Sequence, residues 1–287
     1  MDQNRAIRML RASSEGKYGI LGVVSYNVET ILGAIAAAES KKSPIQILLF
    51  PWAFQKFRIL VDVAAQAARR ASVPVTVHMD HAQDPDVVRA AAAYDAADGT
   101  PAFDSIMVDM SHYDKEENLA RTRELVAVCR ARGIATEAEP GRIEGGEDGV
   151  QSIDSAVMTT AEEVDDFVGT GIDFLAPSFG NVHGNYGGKI QLDFERLRTI
   201  RDKANGRVQL VLHGTNEFTP EIMDECVQNG MTRVNVNGLV LDKYYEFIRE
   251  SAGRVPMTQL MEKGVSLIKE SCEEWINHLG CSGKGSK

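Results

Sequence analysis

The segment Pro74-Val-Thr-Val-His-Met-Asp-His81 places two imidazoles and a carboxylate within four positions: His78, Asp80 and His81. Imidazole nitrogens bind metals or move protons, and a carboxylate beside a ligand can act as general acid or base. Similar groups recur downstream as Asp109, Glu137 with Glu139, His183, His213, and Asn235 with Asn237. Any one of these alone would be an ordinary hydrogen-bonded residue. Four of the six histidines fall in this set, which favours a shared task. A trio such as His81, His183 and His213 would leave one position open, as catalytic zinc requires. Carboxylates nearby could orient the rings.

These groups must be positioned by the elements they terminate. Apolar runs read as strands at 18–26, 45–50, 75–80, 105–109, 134–139, 174–178, 208–212 and 232–236. Helical patterns follow them at 29–41, 53–71, 85–94, from Asp114 to about Gly133, and at 161–169, 194–203, 219–229 and 239–251. Asp84 before Pro85 reads as a helix start, as does Asp114 with Glu117 three residues on. Eight strand–helix units in order predict an α/β fold, a single (β/α)8 TIM barrel over about residues 18–251 of one 287-residue domain. A further helix at about 256–280 precedes a tail expected to fray. An open doubly wound sheet is the alternative, weakened by the lack of Gly-x-Gly-x-x-Gly after the first strand. In a barrel, the C-terminal ends of the strands carry the active site. The polar groups above fall on that rim.

The net charge of −10 argues against nucleic acid or an anionic membrane as partner. No apolar run approaches the ~18 residues of a membrane span. The N-terminus lacks an apolar signal region, which points to a cytoplasmic protein. Cys129, Cys226, Cys272 and Cys281 are scattered, without a Cys-x-x-Cys pair, and read as free thiols in a reducing compartment.

The ordered motifs carry a resemblance. They are His78-x-Asp80-His81, Ser105-Ile-Met-Val-Asp109, and Glu137-Ala-Glu139 leading into Gly145-Gly-Glu147-Asp-Gly149. Phe179-Gly-Asn-Val-His183-Gly-x-Tyr186, Leu212-His213-Gly214 and Asn235 complete the set. From about Tyr18 to the eighth helix the chain is similar to the class II, metal-dependent aldolases of the fructose-bisphosphate and tagatose-bisphosphate type. The resemblance implies one Zn²⁺ held by His81, His183 and His213, with Glu139 close to the metal. It implies Asp80 as acid/base at the C4 hydroxyl and Glu147, on a mobile loop, in proton transfer at the nucleophilic carbon. It implies substrate contacts at Asn27, Asp109, Gly180, Gly184, Gly214, Thr215, Asn216, Asn235 and Asn237. The implied activity is reversible cleavage of a ketose bisphosphate, fructose 1,6-bisphosphate by default, to dihydroxyacetone phosphate and an aldehyde. The implied partners are a sugar-phosphate-like substrate and a second copy of the chain, in a homodimer or higher homo-oligomer.

Two stretches depart from that pattern. Where the family has Gly-Gly-Ser, this chain has Gly214-Thr215-Asn216-Glu217; where it has Asn-x-Asp-Thr, this chain has Asn235-Val236-Asn237-Gly238. The altered loops leave open another phosphorylated or unphosphorylated ketose or a keto acid. Thr215 and the amides of Gly180 and Gly214 remain as donors to a phosphate. Lys189 and Arg142 are the nearest cations by sequence, each read as a solvated surface charge.

The chemistry supports the aldol reading separately. Breaking a carbon–carbon bond beside a carbonyl leaves an enediolate, which needs a Schiff-base lysine or a Lewis-acid metal. No lysine ends any predicted strand. A metallohydrolase would carry His-x-His on the first strand, where this chain has Ser25-Tyr26-Asn27. A metal-stabilised, non-catalytic barrel would have no use for Asp80, Glu139 and Glu147 together. Histidine ligands also suit Co²⁺, Fe²⁺ or Mn²⁺.

Overall fold

The computed structural model describes residues 1–146 and 156–286. Glu147 lies outside them. Eight parallel strands close into a barrel: β1 (Ile20–Val24), β2 (Ile45–Leu49), β3 (Val75–Ala82), β4 (Ser105–Val108), β5 (Ala135–Ala138), β6 (Phe174–Leu175), β7 (Gln209–Leu212) and β8 (Met231–Val236). Each pairs with its neighbours in sequence, and β8 closes on β1 with Ile20 opposite Arg233 and Val23 opposite Val236. Every residue of these strands is buried. That is why β1 and β2 read as nearly continuous apolar runs rather than alternating ones.

The helices are α1 (Arg5–Gly16), α2 (Val28–Lys41), α3 (Pro51–Lys56), α4 (Arg58–Arg70), α5 (Pro85–Ala92), α6 (Lys115–Ala131), α7 (Ala161–Val168), α8 (Phe194–Ala204), α9 (Pro220–Gln228), α10 (Gly238–Ser251) and α11 (Met257–His278). Their starts follow local chemistry. Asp84 accepts from Asp86 N ahead of Pro85, and Asp114 accepts from Glu117 N. Thr160 and Glu163 form a full capping box, satisfying N–H groups that a helix start leaves free. None of the described helices is long and apolar enough to cross a membrane.

Five features differ from the sequence reading. Helix α1 was not anticipated; Asn4 caps it through Ile7 N, and it buries Ala6, Ile7, Met9 and Leu10. The expected helix over 53–71 is two helices, broken where Phe57 leaves helical geometry at φ −134°, ψ 54° and its ring packs 4.8 Å from that of Trp52. Strand β6 has two residues instead of five. A small parallel ribbon, Glu144–Gly145 with Val182–His183, sits outside the barrel. The C-terminal tail is docked, not frayed: Cys281 is fully buried, and Gly283 N and Gly285 N donate to Lys41 O and Lys42 O.

Helix α11 lies along α2 and α10. A Cβ on Gly33 would come within 2.7 Å of Ile268, and one on Gly264 within 2.7 Å of Tyr244. Glycine at these two positions allows the close approach.

Candidate active site

His81 is the most strained of the site residues. The pairing of β3 with β4 shifts register between Met79 and Ala82, and inside that bulge His81 adopts φ +48°. A bulge re-aims a side chain. A non-glycine residue in this region costs on the order of 1–3 kcal/mol and persists only when its surroundings hold it. Here Asp109 holds it: Oδ2 lies 2.9 Å from His81 Nδ1. Asp109 is fixed in turn by the backbone N–H and hydroxyl of Ser111. With a carboxylate on Nδ1, that nitrogen carries the proton and Nε2 presents a lone pair.

The same logic applies on the other side of the barrel. His213, just beyond β7, places Nε2 2.8 Å from Glu137 Oε1 on β5. Its Nδ1 is then the bare nitrogen, and it lies 3.0 Å from His81 Nε2. Two lone pairs facing each other repel, so without a metal a proton sits between the two nitrogens as a hydrogen bond, and a bound cation would take its place. Two nitrogens each ~2.1 Å from a tetrahedral zinc are about 3.3 Å apart, so the spacing fits a shared metal. His183 completes the group. Its Nε2 is buried without a hydrogen-bond partner, and ligand atoms of all three histidines lie within 4.8 Å of one another.

The field agrees with that reading. Burial pushes His81 down, yet Asp80, Asp109 and Glu139 outweigh it and raise its pKa to about 10. The pocket therefore favours a positive charge at this point. His183 is held well below its ordinary value by burial and then by its two histidine neighbours, so its ring is neutral and free to ligate.

His183 reaches the centre through the ribbon, which packs tightly. A Cβ on Gly145 would sit 2.0 Å from His183 O, and one on Gly214 2.5 Å from Val182 O. Asn181 donates to His213 O, and the Tyr186 hydroxyl donates to Gly214 O. Neither contact was anticipated from the sequence, although Tyr186 belonged to the motif.

Asp80 stands on β3 beside these ligands. Its Oδ2 accepts from Asn235 Nδ2 at 3.2 Å; its buried Oδ1 has no hydrogen-bond partner. Burial alone would raise Asp80, but His81, His78 and His213 hold it well below the ordinary carboxylate range. It is therefore ionised and able to accept a proton. Glu139 behaves oppositely. Burial and the neighbouring Asp109 push it up to about 8, while its Oε1 accepts from Ile143 N. Glu139, Asp109 and His81 form a second group with metal-binding spacing.

The other expected residues divide. Gly214, Thr215, Asn216, Asn235 and Asn237 line one small pocket with Asp80 and the three histidines. Among the described residues, no lysine or arginine lines it. The Thr215 hydroxyl is already committed to Asn235 O at 2.6 Å. Asn237 Nδ2 donates to the Tyr26 hydroxyl. Asp109 sits behind His81 rather than in the pocket lining. Asn27 caps α2 and donates to the Tyr244 hydroxyl. Gly180 adopts φ +106°, where a Cβ would meet Gln191 O at 2.3 Å, and Gly184 adopts φ +86°. Glu217, at φ +63°, accepts from Tyr186 N and so faces the ribbon. Arg142 is not a free surface charge; it donates to Ser111 O.

The sequence reading sets Glu137 among the rim groups without a role of its own and gives none to Arg233 or Gln46. Their signal was a charged or amide side chain inside a barrel strand buried on both faces, where such a group requires a partner.

Comparison with known proteins places this geometry. The family model for class II fructose-bisphosphate aldolase matches residues 4–284. A Coccidioides immitis protein provisionally named a fructose-bisphosphate aldolase is 52% identical, covering 99% of this chain and 96% of its own. A crystal structure from that organism, with the same provisional naming, superposes with a TM-score of 0.95 over 99% of both chains. The fructose-bisphosphate aldolase of Geobacillus stearothermophilus is 31% identical over 97% of each chain. The YdjI aldolase of Escherichia coli K12 is 27% identical with a TM-score of 0.85 over 98% of each chain. A full-length family match, on a barrel whose rim gathers three histidines and an ionised aspartate, identifies the chain as a member of the class II fructose-bisphosphate aldolase family of lyases.

Proposed function

We propose that the chain is a zinc-dependent aldolase that cleaves a ketose phosphate, with fructose 1,6-bisphosphate as the first candidate. The observation that carries this reading is the convergence of ligand atoms of His81, His183 and His213 within 4.8 Å of one another, with ionised Asp80 beside them. His81, His183 and His213 would hold the metal; Glu139 groups with Asp109 and His81, and its place close to the metal rests on the resemblance. When bound, zinc supplies Lewis-acid polarisation of the ketone oxygen.

The chain's own residues supply the rest. Asp80 takes the proton of the C4 hydroxyl as the C3–C4 bond breaks, using Oδ1, which accepts no hydrogen bond from the protein. The electron pair of that bond stays on the three-carbon ketose phosphate. Glu147 returns a proton to that carbon, a role that rests on resemblance. The Asn235 amide holds the substrate next to Asp80. Thr215, Asn216, Asn237 and the backbone of Gly180, Gly184 and Gly214 form the rest of the substrate site, with Asn27 and Asp109 supporting it.

A second reading concerns the substrate alone. Among the described residues no arginine or lysine lines the pocket, and Thr215 spends its hydroxyl on Asn235 O. A phosphate dianion there would be held by neutral donors only. This favours a different ketose phosphate, or an unphosphorylated ketose or keto acid. Oligomerisation fits exposed apolar side chains on α11 and the two helices packed against it: Val28 and Leu32 on α2, Tyr245 on α10, Met257 and Met261 on α11. Four free, buried cysteines fit the cytoplasm.

The test is retro-aldol turnover of fructose 1,6-bisphosphate with and without chelator, on protein of measured metal content. Turnover abolished by chelator and restored by zinc supports both metal and substrate. Bound zinc without turnover removes fructose 1,6-bisphosphate and favours the second reading. Neither metal nor turnover removes the whole proposal.

A further inference from the structure

Arg233 lies in the middle of β8, on the inside of the barrel, and is fully buried. Burying a guanidinium is expensive unless every side of it finds an acceptor. Its Nε donates to Asn235 Oδ1 at 2.8 Å and one terminal nitrogen donates to Gln46 Oε1 on β2 at 2.8 Å. The other terminal nitrogen, NH2, forms an ion pair with Glu137 Oε2 on β5, also at 2.8 Å. The same glutamate uses Oε1 to hold His213 Nε2. Gln46 is itself anchored through Nε2 to the hydroxyls of Thr76 and Ser105. The guanidinium is thus fixed from three strands and fixes one carboxylate.

We propose that Arg233 is a positioning residue: it clamps Glu137, and Glu137 in turn fixes the His213 tautomer and ring so that Nδ1 faces the metal. This rests on the reading of His81, His183 and His213 as ligands. Imidazole can carry its proton on either nitrogen, and the group bound to one nitrogen decides which. A glutamate free to rotate would release the Nε2 proton and let the ring turn. The planar fork suits the task because it donates to Asn235 and Gln46 in fixed directions while its remaining nitrogen forms an ion pair with Glu137. An ammonium could neutralise Glu137 but could not also reach Gln46 and Asn235 in that geometry. A second-layer partner of this kind typically changes metal affinity by roughly 10–100-fold when removed.

The experiment uses the full chain, stripped of metal, in three forms: wild type, Arg233→Lys, and the double variant Arg233→Met with Glu137→Gln. The double variant leaves no unpaired buried charge, and its amide can donate or accept, so it no longer selects one tautomer. Zinc affinity is measured by competition with a chromogenic chelator. Bound cobalt(II) is read by its visible spectrum, and thermal unfolding of the metal-free forms runs alongside. The expected result is roughly a 10–100-fold loss of zinc affinity in both variants. A shifted cobalt spectrum should accompany it, while folded Arg233→Lys unfolds near the wild-type temperature. Folded variants with wild-type affinity and an unchanged cobalt spectrum overturn the proposal; Arg233 would then be packing alone. If neither variant folds, nitrogen-15 NMR of the histidines in the wild-type metal-free chain decides. A proton on His213 Nε2 supports the proposal, and a proton on Nδ1 overturns it. A wild type that binds neither zinc nor cobalt fails earlier: it removes the metal reading and this inference with it.

Discussion

At the bottom of the barrel, Asp104 and Asp173 repeat one device. Asp104 precedes β4, and its Oδ2 accepts from Val77 N on β3, while Asp104 N donates to Val77 O. Asp173 precedes β6, and its Oδ2 accepts from Thr136 N on β5, while Asp173 N donates to Thr136 O. Each carboxylate caps the neighbouring strand. At the top of the same strands the carboxylates do something else. Asp109 and Glu137 point at imidazoles, and Asp80 and Glu139 each keep one buried oxygen without a hydrogen bond. The difference shows where the fold spends its polar groups. At the bottom they close the sheet; at the top they are left unsatisfied, beside a strained histidine, for something that is not protein. This is the division expected of a barrel whose chemistry sits on the C-terminal rim.

The comparison breaks most severely if the top tolerates substitution. Replacing His183 with alanine removes the ligand whose Nε2 has no protein partner. Loss of zinc should exceed the roughly 10–100-fold attached to an outer hydrogen-bond partner, with turnover lost in parallel and the barrel still folded. Equilibrium dialysis against zinc and a circular dichroism spectrum check both halves. A variant that keeps zinc at wild-type affinity would mean the histidine trio is structural.

Next in size is Asp80→Asn. The amide keeps the shape and the contact with Asn235 but cannot accept the substrate proton. Turnover should fall by roughly 10²–10⁴, the usual contribution of a general base, while zinc content stays unchanged. Single-turnover kinetics and metal analysis on the same sample separate the two. Loss of zinc together with activity would instead make Asp80 part of the metal site.

The top of the barrel was also the more legible end. His81, Asp80, His183 and His213 mark themselves because polar residues end apolar runs, and that pattern is local. Asp104 and Asp173 lie equally close to strands but look like ordinary loop residues, since their partners are on other strands. Arg233 was invisible for the same reason: Gln46 and Glu137 stand far away in sequence and meet it only once the barrel closes. The helix break at Phe57 accompanies a ring contact with Trp52, which the alanine-rich pattern of 53–71 does not signal. Helix α1 did have a local signal, Asn4 before an apolar spacing at Ala6, Ile7 and Leu10, and could have been read. The docked tail could not, because nothing in Gly280 to Ser286 names Lys41 and Lys42 as acceptors.

The smallest effects lie at the bottom and sharpen the contrast. Asp104→Ala leaves Val77 N without its side-chain acceptor, a loss of about 1–3 kcal/mol in unfolding free energy, with zinc affinity and turnover unchanged. The pH dependence carries a sign that separates this residue from the rim. Burial raises Asp104 above its ordinary value, and Arg5 and the Val77 amide only partly offset that. The folded state therefore holds the proton more tightly than the unfolded chain does. Between the unfolded and the raised folded value the native form binds more protons, so this group makes stability rise as pH falls. Asp104→Asn removes the titration and keeps an acceptor for Val77 N. The wild type should gain on that variant as the pH drops from neutral through the raised value, in urea unfolding measured at each pH. If the variant instead gains on the wild type as pH falls, the ion pair with Arg5 outweighs burial. Asp104 would then behave as Asp80 does at the rim, and the two ends of the barrel would not differ in the way described.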